Sequence, residues 1–224
     1  MDDGSVGGES GPHDLCVLGW SLASIGPAAV ARPGDVTKLA SLPELVSTAE
    51  RLAGPISILI NNAGVHLEKP ALDTTDDEFV AVLQTHLCGA FALTREVGRR
   101  MVERRRGSVI FMASMVSLMG MPRVVAYSAA KSAYIGVVRT LATEWGADGV
   151  CVNAIAPGWI GSPMREQALQ DDPARRAKIL GRIPTGGFGE PHDIGWAAVY
   201  LSSPAASYVN GVVLPIDGGA AESF

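Results

Sequence analysis

Residues 108–131 read SVIFMASMVSLMGMPRVVAYSAAK. The apolar run over 108–113 predicts a short buried strand that ends at Ser114. A loop that contains Gly120 follows, and a helix is predicted over residues 125–145. A buried strand joined through a loop to a helix is the repeating unit of α/β proteins. This stretch therefore predicts an α/β fold, and the segments on either side extend the same alternation.

Three polar side chains in this stretch form a candidate proton-transfer site. Tyr127 and Lys131 are four residues apart, so they share one face of the predicted helix, one turn from each other. A free phenol has a pKa of about 10, and a nearby ammonium lowers this pKa because it favours the phenolate. Ser114 is placed to hydrogen-bond a substrate oxygen whose charge changes. The Tyr–Lys spacing alone is common on helix surfaces, so its meaning depends on the neighbouring segments.

The remaining chain continues the alternation of strands and helices. Apolar runs predict strands over residues 28–31, 56–60, 150–156 and 212–217. Helices are predicted over residues 38–53, 76–105 and 191–201. Because near-continuous apolar strands alternate with helices, we predict a doubly wound parallel sheet in a single α/β domain over 28–224. Residues 1–27 are predicted to be a disordered or atypical N-terminal segment, since they begin with a Gly-, Ser- and Asp-rich stretch.

Polar or glycine-bearing segments follow three of the predicted strands. They are Asn-Asn-Ala-Gly at 61–64, Ser114, and Pro-Gly-Trp-Ile at 157–160. Parallel strands present their carboxyl ends at one edge of the sheet, where such folds bind ligands. We therefore expect the three segments to meet near the Tyr–Lys pair, which favours an active site over a chance pair. The polar, proline-containing segment 162–191 is interpreted as a mobile lid.

The composition argues against several classes of protein. The net charge of −5 provides no basic surface for nucleic acid or anionic lipid. The apolar segment 15–31 is interrupted by glycine and proline, so no membrane span is predicted. The three cysteines are widely spaced and suggest a reducing compartment, and the histidines lack metal-ligand spacing. We expect a cytoplasmic protein without metal, nucleic-acid or membrane partners.

Several motifs in combination resemble the short-chain dehydrogenase/reductase family. They are Asn61-Asn62-Ala63-Gly64, Ser114 thirteen residues before Tyr127, Tyr127-Ser-Ala-Ala-Lys131, Asn153-Ala-Ile-Ala-Pro157-Gly158 and Asp217-Gly218-Gly219. The resemblance extends from about residue 28 to the carboxyl terminus. It implies a Rossmann-like fold, an NAD or NADP cofactor, and hydride transfer between a secondary alcohol and a ketone.

The resemblance also implies a role for each matching residue. Tyr127 would be the general acid–base, Lys131 would lower its pKa and hold the nicotinamide ribose, and Ser114 would orient the substrate. The residues implied to contact the cofactor are Asp35, Val36, Asn61, Ala63, Gly64, Tyr127, Lys131, Pro157, Gly158, Ile160 and Ser162. Segments 61–64 and 157–158 are also compatible with purely structural turns, and both interpretations can hold together.

The resemblance gives an expectation for the substrate and the assembly. Residues 113–117, taken together with Tyr127, Glu144-Trp145 and residues 153–158, most resemble gluconate and deoxygluconate dehydrogenases, and segment 181–191 fits the same group. A small alcohol or ketone of the sugar-acid or polyol class is therefore expected. Segment 181–191 also fits 3-oxoacyl-acyl-carrier-protein reductases, which are the alternative. Family membership further implies a homotetramer or a homodimer.

One departure from the family pattern lies at His86. In His86-Leu-Cys-Gly89 the family has an Asn that belongs to the catalytic set and holds a water relaying protons to the lysine. An imidazole nitrogen can also bind a water, although the ring is larger than an amide. Two alternatives are therefore open: His86 replaces the Asn functionally, or the proton relay to the lysine is damaged.

A second departure concerns the glycine-rich turn that binds the cofactor pyrophosphate at a helix N-terminus. Gly19 and Gly26 are only a faint echo of that turn. We therefore expect a sheet that lacks the first β-α-β part of the family fold, in a chain that is truncated or altered before Asp35. A relic that has lost its cofactor and acts as a structural partner in an oligomer is the corresponding alternative function.

Overall fold

A computed structural model describes residues 15–17, 29–161 and 172–223. The strands are β1 (Leu15–Val17), β2 (Ala29–Ala31), β3 (Ile58–Asn61), β4 (Gly107–Met112), β5 (Val150–Pro157) and β6 (Val213–Ile216). The last four form one sheet in the order β3-β4-β5-β6, and every neighbouring pair is parallel. The predicted α/β fold with a parallel sheet is confirmed.

Helices cover both faces of the four-stranded sheet. They are α1 (Leu42–Ala53), α2 (Asp76–Leu83), α3 (Ala90–Arg104), α4 (Val125–Trp145), α5 (Pro173–Leu180) and α6 (Pro191–Ser202). Along β4, Val109 and Phe111 pack with α1, α3 and α4, whereas Ile110 packs with α6. This alternation is what a strand buried on both faces requires. Within the described ranges, no helix is long and apolar enough to cross a membrane.

The strands β1 and β2 form a separate parallel pair, in which Cys16 lies opposite Val30. The strand predicted over 28–31 is confirmed by β2, whereas β1 lies in a stretch to which the sequence assigned no element. Among the described residues, β3 pairs only with β4, so its outer edge has no strand beside it. The faint glycine motif at Gly19 and Gly26 lies outside the described residues.

The helix predicted over 76–105 is interrupted in the structure. It begins at a capping box, in which Glu78 N donates to Thr75 Oγ1 and Thr75 N donates to the Glu78 carboxylate. A wide turn with π-helical hydrogen bonding then spans Gln84–Gly89 before α3 begins. The wide turn carries His86, which is only 2% exposed. A uniform helical period does not predict an inserted residue of this kind, and such turns often occur at functional sites.

Candidate active site

The three segments predicted to converge lie at one edge of the sheet. In the sheet register, Phe111 of β4 lies between Asn61 of β3 and Ala154 of β5. The three strands therefore end near one another, and Ser114 and the 157–160 loop follow β4 and β5 at the same edge. This placement agrees with the position at which parallel α/β sheets bind ligands.

Lys131 is buried beside Tyr127. The two residues lie one turn apart on α4, and Lys131 is 4% exposed. Its Nζ donates a hydrogen bond to the backbone oxygen of Met112 at the end of β4, and it lies 5.5 Å from the centre of the Tyr127 ring. Because burial disfavours the charged ammonium, the pKa of Lys131 falls to about 8. A cation is therefore held against the phenol at neutral pH.

Tyr127 is half-buried and touches two histidine rings. His66 lies in the exposed loop after β3 and His86 in the buried wide turn. The centre of each imidazole is 5.3 Å from the centre of the Tyr127 ring, and both contacts are edge-to-face. His66 is exposed, yet it belongs to this site. His66 is distant from Tyr127 in the sequence, so the sequence alone does not predict this contact.

Ser114 begins the short turn that follows β4. Its Oγ accepts a hydrogen bond from Val116 N, and at 3.4 Å this bond is long. The bond occupies a lone pair of the oxygen and leaves the hydroxyl proton unused. The Ser114 hydroxyl therefore retains a donor for another oxygen. Val116 and Tyr127 pack in one apolar cluster with Trp159, which holds the turn and the helix together.

Tyr134 is a member of this site that the sequence interpretation missed. It is fully buried on α4, and its hydroxyl donates to the backbone oxygen of His86 at 2.6 Å. Its ring centre lies 5.2 Å from Lys131 Nζ. Burial, with a smaller effect of charge on Tyr127, raises the pKa of Tyr134, so this hydroxyl remains a proton donor. Tyr134 follows Lys131 by three residues, and this spacing was the sequence feature that could have placed it on the same helix face as Lys131.

Asp35 and Val36 lie in the segment that joins β2 to α1. Asp35 is exposed, and its Oδ1 accepts hydrogen bonds from the Oγ1 and N of Thr37 at 2.7 and 2.9 Å. These two bonds, the side-chain bond first, lower the pKa of Asp35. The carboxylate is therefore charged and held in a turn, and Val36 packs against the main apolar core.

The end of β3 is buried, and the loop that follows it is exposed. Asn61 is 5% exposed, and its Nδ2 donates to Thr94 Oγ1 on α3 at 2.8 Å, so this side chain braces the sheet against a helix. Ala63 and Gly64 are exposed in the loop beyond it. A Cβ atom on Gly64 would lie 2.3 Å from Cε1 of His86, which accounts for glycine at this position.

The 157–160 loop packs tightly against the end of β6. A Cβ atom on Gly158 would lie 2.6 Å from the Cα of Asp217, so only glycine allows this approach. Ile160 forms an isolated bridge with Gly189, which joins the loop to the segment before α6. Ser162, the last residue predicted to contact the cofactor, lies outside the described residues.

The donors at this site fit a ligand with neighbouring hydroxyl groups. An ammonium has three N–H donors, and the described contacts of Lys131 pair one of them, with Met112. Two remain for the hydroxyl groups of a ligand or for water. The ribose attached to nicotinamide offers such hydroxyls, so the described residues fit that part of NAD or NADP.

Comparison with known proteins relates the chain to a group of reductases and dehydrogenases. The family model for enoyl-(acyl carrier protein) reductase matches residues 20–221. A 2-dehydro-3-deoxy-D-gluconate 5-dehydrogenase of Pseudoalteromonas atlantica is 48% identical over 164 residues, which cover 73% of this chain and 64% of that protein. The protein of the same name in Escherichia coli is 35% identical over 88% of this chain and 78% of that protein.

A solved structure extends this similarity to three dimensions. The crystal structure of a gluconate 5-dehydrogenase from Burkholderia cenocepacia, in complex with NADP and tartrate, matches with a TM-score of 0.83. The match has 30% sequence identity and covers 88% of this chain and 77% of that protein. The chain thus spans less than two thirds of the length of the Pseudoalteromonas relative and more of the other two.

Proposed function

This chain belongs to the short-chain dehydrogenase/reductase family, and on that premise we propose that it is an NAD(P)-dependent oxidoreductase. The proposed reaction interconverts a secondary alcohol and a ketone. The observation that carries the proposal is the buried Lys131 ammonium, one turn from Tyr127 and beside the end of β4. Burying a charge destabilises a fold. A purely structural role for the Tyr–Lys pair therefore does not explain why the Lys131 ammonium is buried.

Each polar side chain has one task in the proposed reaction. Tyr127 exchanges a proton with the substrate oxygen, as an acid toward a ketone and as a base toward an alcohol. Lys131 favours the phenolate, because its positive charge lies close to the ring. Ser114 donates its hydroxyl proton to the same substrate oxygen, which stabilises negative charge that develops there.

The cofactor would be held along the carboxyl edge of the sheet. Bound nicotinamide supplies or accepts the hydride. We assign its ribose to Lys131 and Tyr127, and its ring to the loop after β5. The remaining proposed contacts are Asp35, Val36, Asn61, Ala63 and Gly64 on the adenosine side and Pro157, Gly158, Ile160 and Ser162 on the nicotinamide side. For Asn61 the Nδ2 group is bonded to Thr94 Oγ1, whereas the buried Oδ1 has no hydrogen-bond partner among the described residues, so a contact would come from Oδ1 or from the backbone.

We propose a sugar acid as the substrate, and two arginines near the site support this class. Glu68 lies in the same loop as His66. Its Oε1 forms ion pairs with Arg123 Nε at 3.6 Å and with Arg175 Nη2 at 3.5 Å. Two guanidinium groups facing one carboxylate leave an excess positive charge, which suits a substrate carboxylate. The named relatives act on or are bound to acids of this type.

The backbone of Arg123 supports a positional role for its side chain. Arg123 has φ of 70°, a left-handed conformation that is unusual for a residue other than glycine. A hydrogen bond of 2.6 Å from Lys69 N to Arg123 O connects it to the loop that carries Glu68. Strained conformations of this kind persist where the surroundings enforce them, and they occur often at functional sites.

The proposed function is tested by following the absorbance of reduced nicotinamide with both NAD and NADP. We expect turnover with hexonates and slower turnover with hexitols of matching stereochemistry. Reduction of a β-keto thioester without oxidation of either sugar class would support the acyl-carrier alternative. Absence of turnover, together with absence of NAD(P) binding in calorimetry, would support the alternative that this chain has lost its cofactor and acts as a structural partner in an oligomer.

The substrate class is tested further by Arg123→Met. Because a lost guanidinium weakens carboxylate binding, we expect the KM for a hexonate to rise about 10-fold, a loss of about 1.4 kcal/mol, and that for the hexitol to change less than twofold. Arg105→Met is a matched control. Arg105 is also left-handed and ion-paired, with Asp148 at 3.0 Å, but lies at the opposite edge of the sheet. An equal rise for both substrates would refute carboxylate recognition by Arg123.

We further propose that the chain forms a homodimer or a homotetramer. Trp196, Val199 and Tyr200 on α6 are 68%, 59% and 45% exposed, and their spacing places them on one helix face. Exposed aromatic and aliphatic faces of this kind mark protein interfaces. Light scattering should give two or four times 23.3 kDa, and Trp196→Glu should lower that mass. A monomer at micromolar concentration would contradict the proposal.

A further inference from the structure

His66 is an exposed residue on a firmly held part of the loop after β3. On one side of it, the backbone of Val65 contacts His86 Nε2, at 3.2 Å through its nitrogen and at 2.7 Å through its oxygen. On the other side, Leu67 packs against an apolar cluster of α2 and α4 that includes Ala130. The chain is therefore held on both sides of His66, although the residue itself is exposed.

Further contacts hold the next part of the same loop. Lys69 N donates to the backbone oxygen of Arg123 at 2.6 Å, and Lys69 Nζ forms an ion pair with Glu78 at 2.9 Å. Glu68, between His66 and Lys69 in this loop, forms the ion pairs with Arg123 and Arg175. A side chain on a loop braced in this way binds a ligand at a low cost in backbone ordering, as preorganised sites require.

The imidazole of His66 lies against the proposed acid–base group. Its ring centre is 5.3 Å from that of Tyr127, and the two rings meet edge-to-face at 77°. Among the described residues, no hydrogen bond is made by either nitrogen of the His66 ring. A neutral imidazole has one donor and one acceptor, so both remain for a ligand that Tyr127 holds.

We propose that His66 is a specificity-determining residue that hydrogen-bonds the substrate hydroxyl next to the reacting carbon. The inference rests on the proposed function of this site. Neighbouring oxygens of a sugar lie within about one hydrogen-bond length of each other, so a ring in contact with Tyr127 can reach the next hydroxyl. We place this hydroxyl on the carboxylate side of the reacting carbon, because His66 shares its loop with Glu68, which faces Arg123.

The contact would favour polyhydroxy substrates over acyl thioesters. A 3-oxoacyl thioester has a methylene group on the carboxyl side of its ketone, and a methylene offers no partner to an imidazole. A site that hydrogen-bonds a substrate hydroxyl discriminates against an analogue that lacks it. Because His66 is exposed and water can replace the hydroxyl, we expect this discrimination to be about 10-fold, the upper range for one hydrogen bond.

The inference is tested by His66→Phe, because Phe keeps an aromatic ring against Tyr127 and removes both nitrogens. We expect the KM for a hexonate and the KM for a hexitol each to rise about 10-fold, with kcat within about twofold. For the deoxy analogue of the hexonate that lacks the neighbouring hydroxyl on the carboxylate side, KM should change less than twofold. His192→Phe is the matched control. His192 is exposed on α6 and lies outside the site, so its substitution should leave all three KM values unchanged.

Three outcomes would overturn the inference. An equal rise in KM for the deoxy analogue would show that His66 acts without that hydroxyl. A rise for the hexonate but not for the hexitol would show that His66 recognises the carboxylate. Unchanged KM values for every substrate would show that His66 only packs against Tyr127. Each of these leaves the proposed function intact, because the wild type turns over, whereas a wild type without turnover refutes the proposed function and this inference with it.

Discussion

Tyr127→Phe should lower kcat/KM by about 10²–10⁴-fold, the range that a positioned acid–base group contributes. The substitution removes one oxygen atom and leaves the ring packed among Val116, Trp159 and the two histidines. NAD(P) affinity should change less than about fivefold, because the Lys131 ammonium remains. Stopped-flow turnover and calorimetric cofactor binding measure the two quantities separately.

Tyr208→Phe is the matched control for this substitution. Tyr208 is fully exposed and lies outside the site, so removing its hydroxyl should leave both quantities unchanged. If Tyr127→Phe retained more than one tenth of wild-type kcat/KM, proton exchange would have to occur at another group. The acid–base role proposed for Tyr127 would then be abandoned.

Lys131→Met should abolish most activity and at the same time stabilise the fold. Met fills nearly the same volume without the ammonium, so Tyr127 loses its positive neighbour and kcat/KM should fall about 100-fold or more. Burial holds the pKa of Lys131 at about 8 against its ordinary value of 10.5, and this difference corresponds to roughly 3 kcal/mol of unfolding free energy. Part of that gain is lost because the Met112 oxygen loses its donor.

The sign of this effect depends on pH. Below about pH 8, Lys131 is charged in both the folded and the unfolded chain, and the wild type bears the whole destabilisation of a buried charge. Between pH 8 and 10.5 the folded chain releases the proton while the unfolded chain keeps it, so the stability of the wild type rises relative to the variant. Urea unfolding of both proteins at pH 7, 9 and 10.5 should show the stability difference shrinking by roughly 3 kcal/mol.

Lys178→Met supplies the control, because Lys178 is exposed on α5. Its stability difference from the wild type should not vary over the same pH range. A stability difference for Lys131→Met that stayed constant with pH would mean that Lys131 is not held charged in a buried environment. The activity and stability outcomes together distinguish a catalytic lysine from one that merely stabilises the helix.

Much of the fold could be predicted because its signals are local. The apolar runs and their breaks predicted β3, β4 and β5 to within a few residues, and α4 over its full length. Strand direction followed from the helices between strands, which force parallel crossovers. The interruption at Gln84–Gly89 could not be predicted, because one inserted residue leaves the helical pattern on both sides intact.

The candidate site divides in the same way. Spacing of four residues on one helix was sufficient to place Tyr127 and Lys131 together. The sequence did not indicate that Lys131 would be buried, since burial depends on the end of β4 closing over its side chain. It also did not indicate that His66 would reach Tyr127, or that Tyr134 would bond to His86.

The sequence by itself therefore determined the order of β2 to β6 and of the helices between them, the edge at which these strands end, and the identity of the Ser, Tyr and Lys side chains, but not β1 or α5. Only the tertiary structure decided the charge environment of Lys131, the burial of His86 beside Tyr127 and the grouping of Arg123 and Arg175 at Glu68. The physical reason is range. Periodicity and turn chemistry act within a few residues, whereas desolvation and pairing depend on groups that the chain brings together only when it folds.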